Sequence, residues 1–124
     1  MILFDSVSKK YSRNLIALED VNLRVNDGEY VFLVGPSGAG KTTLLKLLIR
    51  EILPSHGSIY LDDWEVNKLP ISKLTYLRRK ISFVFQDFKL LVDRTVTENI
   101  SVALEILGYE HKRIESRIEE VLSI

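Results

Sequence analysis

Residues 35–42 read Gly35-Pro36-Ser37-Gly38-Ala39-Gly40-Lys41-Thr42, and they match G-x-x-x-x-G-K-[ST] at every fixed position. The pattern has a physical rationale as a phosphate-binding loop. A polyanion needs several backbone N–H groups converging on it, and glycines permit both the close approach and the positive φ this requires. The loop is followed by a helix-like stretch, whose unpaired N-terminal N–H groups and dipole favour negative charge. Lys41 is a mobile point charge able to reach the terminal phosphates, and the Thr42 hydroxyl supplies the oxygen that Mg²⁺ prefers. Gly35, Ser37, Gly38, Ala39, Gly40, Lys41, Thr42 and Thr43 are the expected nucleotide-binding residues, with Thr42 on the metal and Lys41 catalytic. The competing reading is a Gly-rich strand–helix turn with an incidental lysine.

The flanks supply the context the loop needs. Residues 30–34, Tyr-Val-Phe-Leu-Val, are apolar without alternation, which predicts a strand covered on both faces. Residues 41–53 are rich in Leu and Ile and predict a buried helix ending before Pro54. Upstream, residues 2–8 and 18–25 predict strands. Val21, Leu23 and Val25 alternate with Asn22, Arg24 and Asn26, the period of a half-buried antiparallel strand. Downstream, residues 55–57 predict a turn, 58–61 a short strand, Asp62-Asp63 a turn, 72–79 a short helix and 81–85 another apolar strand.

Beyond Asp87 the pattern is helical. Thr95-Val96-Thr97-Glu98 fits a capping box. Val96, Ile100, Ala103, Leu104 and Leu107 share one helical face, which Gly108 stops, and Ile114, Ile118, Val121 and Leu122 repeat the spacing. The result is an α/β chain in two parts. Residues 1–87 hold an antiparallel β subdomain and a strand–loop–helix P-loop core, and residues 88–124 begin a helical subdomain.

Composition bounds the rest. With 124 residues the chain suits one small domain or part of a larger one. Its 17 Lys+Arg balance 17 Asp+Glu, which argues against nucleic acid held by bulk charge. It has no Cys, and only His56 and His111 as imidazoles, so a thiolate or His-rich metal centre is excluded. No signal-peptide core and no apolar run long enough to span a bilayer occurs, which predicts a cytoplasmic chain, peripheral to the membrane only through a partner. The apolar ending Leu122-Ser123-Ile124 reads as an interruption of a longer domain.

Two stretches carry a resemblance. Residues 9–48, KKYSRNLIALEDVNLRVNDGEYVFLVGPSGAGKTTLLKLL, resemble the start of the nucleotide-binding subunit of ABC transporters. In that family an aromatic of the first hairpin stacks on adenine, and Tyr11 holds the matching place. On the residues alone, Tyr11 reads equally well as a hairpin aromatic packed on the sheet. The second stretch, residues 78–100, RRKISFVFQDFKLLVDRTVTENI, resembles the family's Q-loop region. There a glutamine like Gln86 contacts Mg²⁺ and the γ-phosphate region and links the site to a membrane-embedded partner. The plainer reading of Gln86 is a polar strand-end residue. Phe88, Leu90 and Leu91 fit either a partner-docking surface or a local hydrophobic plug.

The wording is most similar to the family's cell-division branch, the FtsE-type subunits, and is shared in large part by lipoprotein-release and macrolide-export ATPases. The resemblance implies ATP and Mg²⁺ as cofactors, and an integral membrane permease-like (FtsX-like) subunit as partner. It also implies a homodimer in the full-length family. It further implies parts absent from these residues: a signature loop, a Walker B strand with its catalytic Glu, and a switch His. The 124 residues are therefore expected to bind Mg-ATP, to hydrolyse it negligibly, and to leave sheet edges exposed. A small-molecule kinase and a non-catalytic nucleotide-binding module are the other function classes. Lys73, Arg78, Arg79 and Lys80 are expected as a solvated helix face, Trp64 as half-buried packing, and both histidines as solvated.

Overall fold

The computed structural model of the chain describes residues 1–12 and 14–123. These form two compact units, Met1–Ser82 and Phe83–Ile124.

The first unit is built on a long hairpin. Strands β1 (Ile2–Ser12) and β2 (Leu15–Val25) pair antiparallel, and β1 carries β3 (His56–Leu61) on its other edge. The short β4 (Trp64–Glu65) completes a sheet of order β2-β1-β3-β4. Alternation in β2 is as expected: Val21, Leu23 and Val25 are half-buried while Asn22 and Arg24 are exposed. Phe4, Val7 and Ile59 of the sheet join Leu44, Leu47 and Leu48 of helix α1 (Lys41–Leu48) in one buried core.

Three expectations are corrected, the third in part within the second unit. Residues 55–57 are not all turn, because β3 starts at His56. Gly57 lies inside the strand at φ 84, opposite a bulge of β1 where Ser6 has φ 51. A Cβ on Gly57 would stand 2.5 Å from the Asp5 carbonyl oxygen and closer still to that of Ser6. Its glycine therefore permits a close backbone approach within the sheet, not a chain reversal.

Helix α1 ends at Leu48, not at residue 53. Arg50 adopts a left-handed φ of 50. Its N–H donates to the Leu47 carbonyl at 3.0 Å, and the Glu51 N–H donates to the Lys46 carbonyl at 2.8 Å. This is the hydrogen-bond pattern of a Schellman stop. A Lys46–Glu51 ion pair at 2.9 Å closes the same two positions. Arg78 adds to the stop, its Nε donating to the Ile49 carbonyl at 3.2 Å and its guanidinium to that of Arg50 at 3.3 Å. Arg78 is thus exposed, as expected of a solvated helix face, and its charge also meets the negative end of α1.

The third correction concerns residues 30–34 and 81–85, which form no strand. Tyr30, Phe32 and Val34 are 84%, 76% and 85% exposed. Val31 and Leu33 turn the other way and line an apolar cavity of about 250 Å³ with Phe4, Leu23 and Leu44. The Phe83 and Phe85 rings meet at a tilt of 51° with centroids 4.5 Å apart, while Ser82 and Val84 are exposed. Both segments keep a two-residue period of exposure, but no described strand pairs with them. A parallel strand needs a neighbour brought by a crossover connection, and among the described residues no neighbour satisfies the ladder.

Two 3-10 turns, Val66–Lys68 and Ile71–Lys73, lead to α2 (Leu74–Arg79). Trp64 is half-buried beneath the Lys80 ammonium, which lies 5.2 Å from the ring centroid. His56 and His111 are exposed.

The second unit holds α3 (Val96–Ile106) and α4 (His111–Leu122). The capping box is formed: the Glu98 N–H donates to Thr95 Oγ1 at 3.2 Å, and the Thr95 N–H donates to Glu98 Oε2 at 2.8 Å. The bond from the Thr95 N–H, and a second from the Thr95 hydroxyl to the same oxygen at 3.0 Å, hold the Glu98 carboxyl below its ordinary pKa. Ile114 and Ile118 are buried as expected, but Val96, Leu107, Val121 and Leu122 stand exposed. Helical spacing identified the apolar stripes, but within this unit only part of each is covered.

Candidate functional site: the loop of residues 35–42

The loop leaves the 30–34 segment and is pinned at its exit. Gly40 caps α1 at φ 87. A Cβ there would stand 2.5 Å from the Ala17 carbonyl oxygen and 2.7 Å from Leu18 Cδ2. Any other residue is opposed both by backbone conformation and by lack of space. Contact with β2 therefore fixes where α1 begins and where its N-terminal N–H groups lie. The Ala39 N–H donates to the Pro36 carbonyl at 3.2 Å, closing a turn over 36–39. Ser37, Gly38 and Ala39 are exposed on this turn, as is Gly35 just before it.

Lys41 folds back across the loop. Its Nζ donates to the Gly35 carbonyl at 2.6 Å and to the Pro36 carbonyl at 2.7 Å. An ammonium has three donors, so one remains for an incoming phosphate oxygen. Thr42 is exposed on the first turn of α1 and Thr43 is buried. No acidic side chain occupies that turn. Positive charge within the loop, backbone donors at a helix start and no competing carboxylate make up a donor set that fits a nucleoside polyphosphate.

Tyr11 reaches the loop from β1. Its hydroxyl lies 3.4 Å from Thr43 Oγ1, and its ring is 49% exposed. Lys9, two residues earlier on the same strand, places its Nζ 5.3 Å from the Tyr11 ring centroid and donates to the Leu53 carbonyl at 2.7 Å. Sequence reasoning missed Lys9. The available signal was its i, i+2 relation to Tyr11, which puts both side chains on one side of a strand.

Tyr11, Lys41, Thr42 and Thr43 thus come together within the first unit. Gln86 belongs to the second. It is exposed on a turn over 86–89, in which Phe88 and Lys89 have φ 54 and 53. The Phe88 N–H donates to the Phe85 carbonyl at 3.1 Å. Phe88, Leu90 and Leu91 are exposed, so the plug reading of these three is set aside. No helix among the described residues is long and apolar enough to cross a membrane.

Known proteins are similar to this chain. The cell-division ATP-binding protein FtsE of Bacillus subtilis is 40% identical over 124 residues, covering 100% of this chain and 54% of the relative. The methionine import ATP-binding protein MetN of Xanthomonas oryzae is 40% identical over 126 residues, covering 99% of this chain and 38% of the relative. The chain therefore spans about half or less of the length of these curated relatives. Among solved structures, the ATP-binding cassette MJ0796, a dimer in a post-hydrolysis state bound to ADP and Pi, superposes with a TM-score of 0.87 at 36% identity. That match covers 99% of this chain and 56% of the cassette. The family model described as ABC transporter matches residues 18–123, and with the loop built as above the chain belongs to the ABC transporter family.

Proposed function

We propose that this chain is the ATP-binding part of an ABC-type ATPase that couples ATP binding and hydrolysis to an integral membrane partner. The observation that carries the reading is the Lys41 ammonium held inside the loop on two carbonyls, at 2.6 and 2.7 Å. A terminal phosphate would gain that charge without having to order the side chain first. In this reading Gly35, Ser37, Gly38, Ala39 and Gly40 wrap the phosphates, Lys41 neutralises the terminal ones, and Thr43 lies beside them. Thr42 offers one hydroxyl oxygen to Mg²⁺. Among the described residues no cluster of three His, Asp or Glu side chains is placed to hold a metal, so the ion would be held jointly with phosphate oxygens. Bound there, Mg²⁺ supplies charge neutralisation for phosphoryl transfer. Tyr11 serves as the base platform, and Gln86 serves as the ligand that senses the γ-phosphate.

Within the family, the cell-division role with an FtsX-like permease is the reading we favour. It is supported by the FtsE likeness over the whole chain. An importer or exporter role is the second reading, supported by the equal identity to MetN. Co-purification of the membrane partner decides between them. A two-component complex that carries no solute favours division, and solute uptake that depends on Lys41 favours transport. A homodimer and a membrane-peripheral location through that partner belong to the same proposal.

Calorimetric titration of Mg-ATP tests the core of it. Ligand at about 100 times its Kd stabilises a fold that alone binds it by about 2.7 kcal/mol. Lys41→Ala removes most of that shift. A folded protein with no ATP-dependent shift overturns the reading. The polypeptide of these 124 residues is expected to bind without appreciable turnover, and Lys41-dependent hydrolysis by it alone overturns that part.

A further inference from the structure

The Tyr11 ring is restrained at two points. At its tip, the hydroxyl lies 3.4 Å from Thr43 Oγ1, on a buried residue of the loop helix. On one face, the Lys9 ammonium stands 5.3 Å from the ring centroid. That ammonium is itself held, because Lys9 Nζ donates to the Leu53 carbonyl at 2.7 Å, and Lys9 is half-buried. An otherwise mobile side chain is thus fixed behind an aromatic whose surface is still 49% exposed. A cation within about 6 Å of a ring centroid is attracted by the negative π-face. It also draws electron density toward itself, leaving the opposite face better suited to an electron-rich partner.

We propose that Lys9 is a positioning residue for base recognition. It backs the Tyr11 ring so that a purine base stacks on the opposite face alone, while Thr43 sets the distance from that platform to the phosphate loop. The inference rests on the reading above that Tyr11 receives the base. It adds that the platform is a three-residue device, Lys9–Tyr11–Thr43, and that base preference depends on a charge that never touches the nucleotide. The two anchors come from separate elements, β1 and α1, so the spacing between base and phosphate subsites follows from sheet–helix packing.

The test compares Mg-ATP with Mg-tripolyphosphate, which has the phosphates and no base, by calorimetry on the protein. Tyr11→Ala should weaken ATP by about 5- to 100-fold, the range for loss of a base–aromatic stack, with tripolyphosphate unchanged. Lys9→Met keeps the stem and removes the charge. It should lower the ATP-to-tripolyphosphate affinity ratio by about 2- to 5-fold, and Lys9→Arg should restore it. Tyr11→Phe keeps the ring and removes the Thr43 anchor, and should lower the ratio by about twofold.

If Tyr11→Ala lowers the ratio and Lys9→Met does not, the positioning role is overturned while base stacking stands. A ratio unchanged by Tyr11→Ala overturns the base-platform reading and this inference with it. A Lys9→Met protein that loses affinity for both ligands equally also counts against the proposal, because a fold defect does not discriminate between them.

Discussion

Residues 30–34 are apolar throughout and residues 2–8 only in part, yet the less apolar segment is the one that is covered. Phe4 and Val7 are fully buried, whereas Tyr30, Phe32 and Val34 are exposed. The difference lies in who supplies the neighbouring strand. β1 finds β2 past two intervening residues of the chain and β3 along its other edge, all antiparallel, so its ladder closes within the described residues. The 30–34 segment leads straight into the phosphate loop and has no described strand beside it. Apolarity decides that a segment seeks cover. Pairing decides whether it becomes a strand, because an extended backbone away from water needs its N–H and C=O groups satisfied.

Core substitution gives the largest expected effect. Phe4→Ala should destabilise the first unit by about 3–5 kcal/mol, as for other buried aromatics. Phe32→Ala in the same 124-residue polypeptide should shift stability by less than about 0.5 kcal/mol. Denaturant midpoints measure both, and equal losses would break the comparison. Next comes the exit of the loop at Gly40. Gly40→Ala forces a Cβ toward Ala17 at a left-handed φ, and should cost about 1–3 kcal/mol and weaken ATP binding. A fully stable Gly40→Ala protein would mean that β2 does not fix the loop exit.

The second unit sharpens the comparison, because α3 starts on a purely local device. Thr95→Ala should cost about 1 kcal/mol of helix stability, read from the far-UV signal of the second unit. No loss would mean that packing, not the cap, sets the start of α3. The smallest expected effect is a pH dependence. The Glu98 carboxyl is held below its ordinary value of 4.5 by bonds from Thr95. Its contribution is therefore fully present above about pH 4.5 and is lost as pH falls through the lowered folded value. Glu98→Gln should flatten that acid limb, and an unchanged limb would remove Glu98 as its cause.

Some of this architecture was legible because it is encoded locally. The loop motif, the capping box and the alternation of β2 each depend on residues within about one turn or one strand of each other. What was missed involves contacts between distant segments. Helix α1 stops at Leu48 because Arg50 takes a left-handed conformation and Arg78 reaches the last carbonyls. Gly57 reads as a turn glycine until the Ser6 bulge of a distant strand is seen against it. Lys9 is an ordinary strand lysine until Leu53 and Tyr11 bracket it.

The sequence by itself determined the chemistry of the loop. Glycines, a lysine and a threonine at fixed spacing are needed for backbone approach to a polyanion, and no tertiary contact is required to recognise them. Only the tertiary structure decided that Lys41 lies across the Gly35 and Pro36 carbonyls and that Tyr11 is tied to Thr43. It alone left residues 30–34 uncovered. The physical reason is the range of the forces involved. Backbone preference and capping act over a few residues, whereas burial and strand pairing depend on which distant surfaces are present to meet.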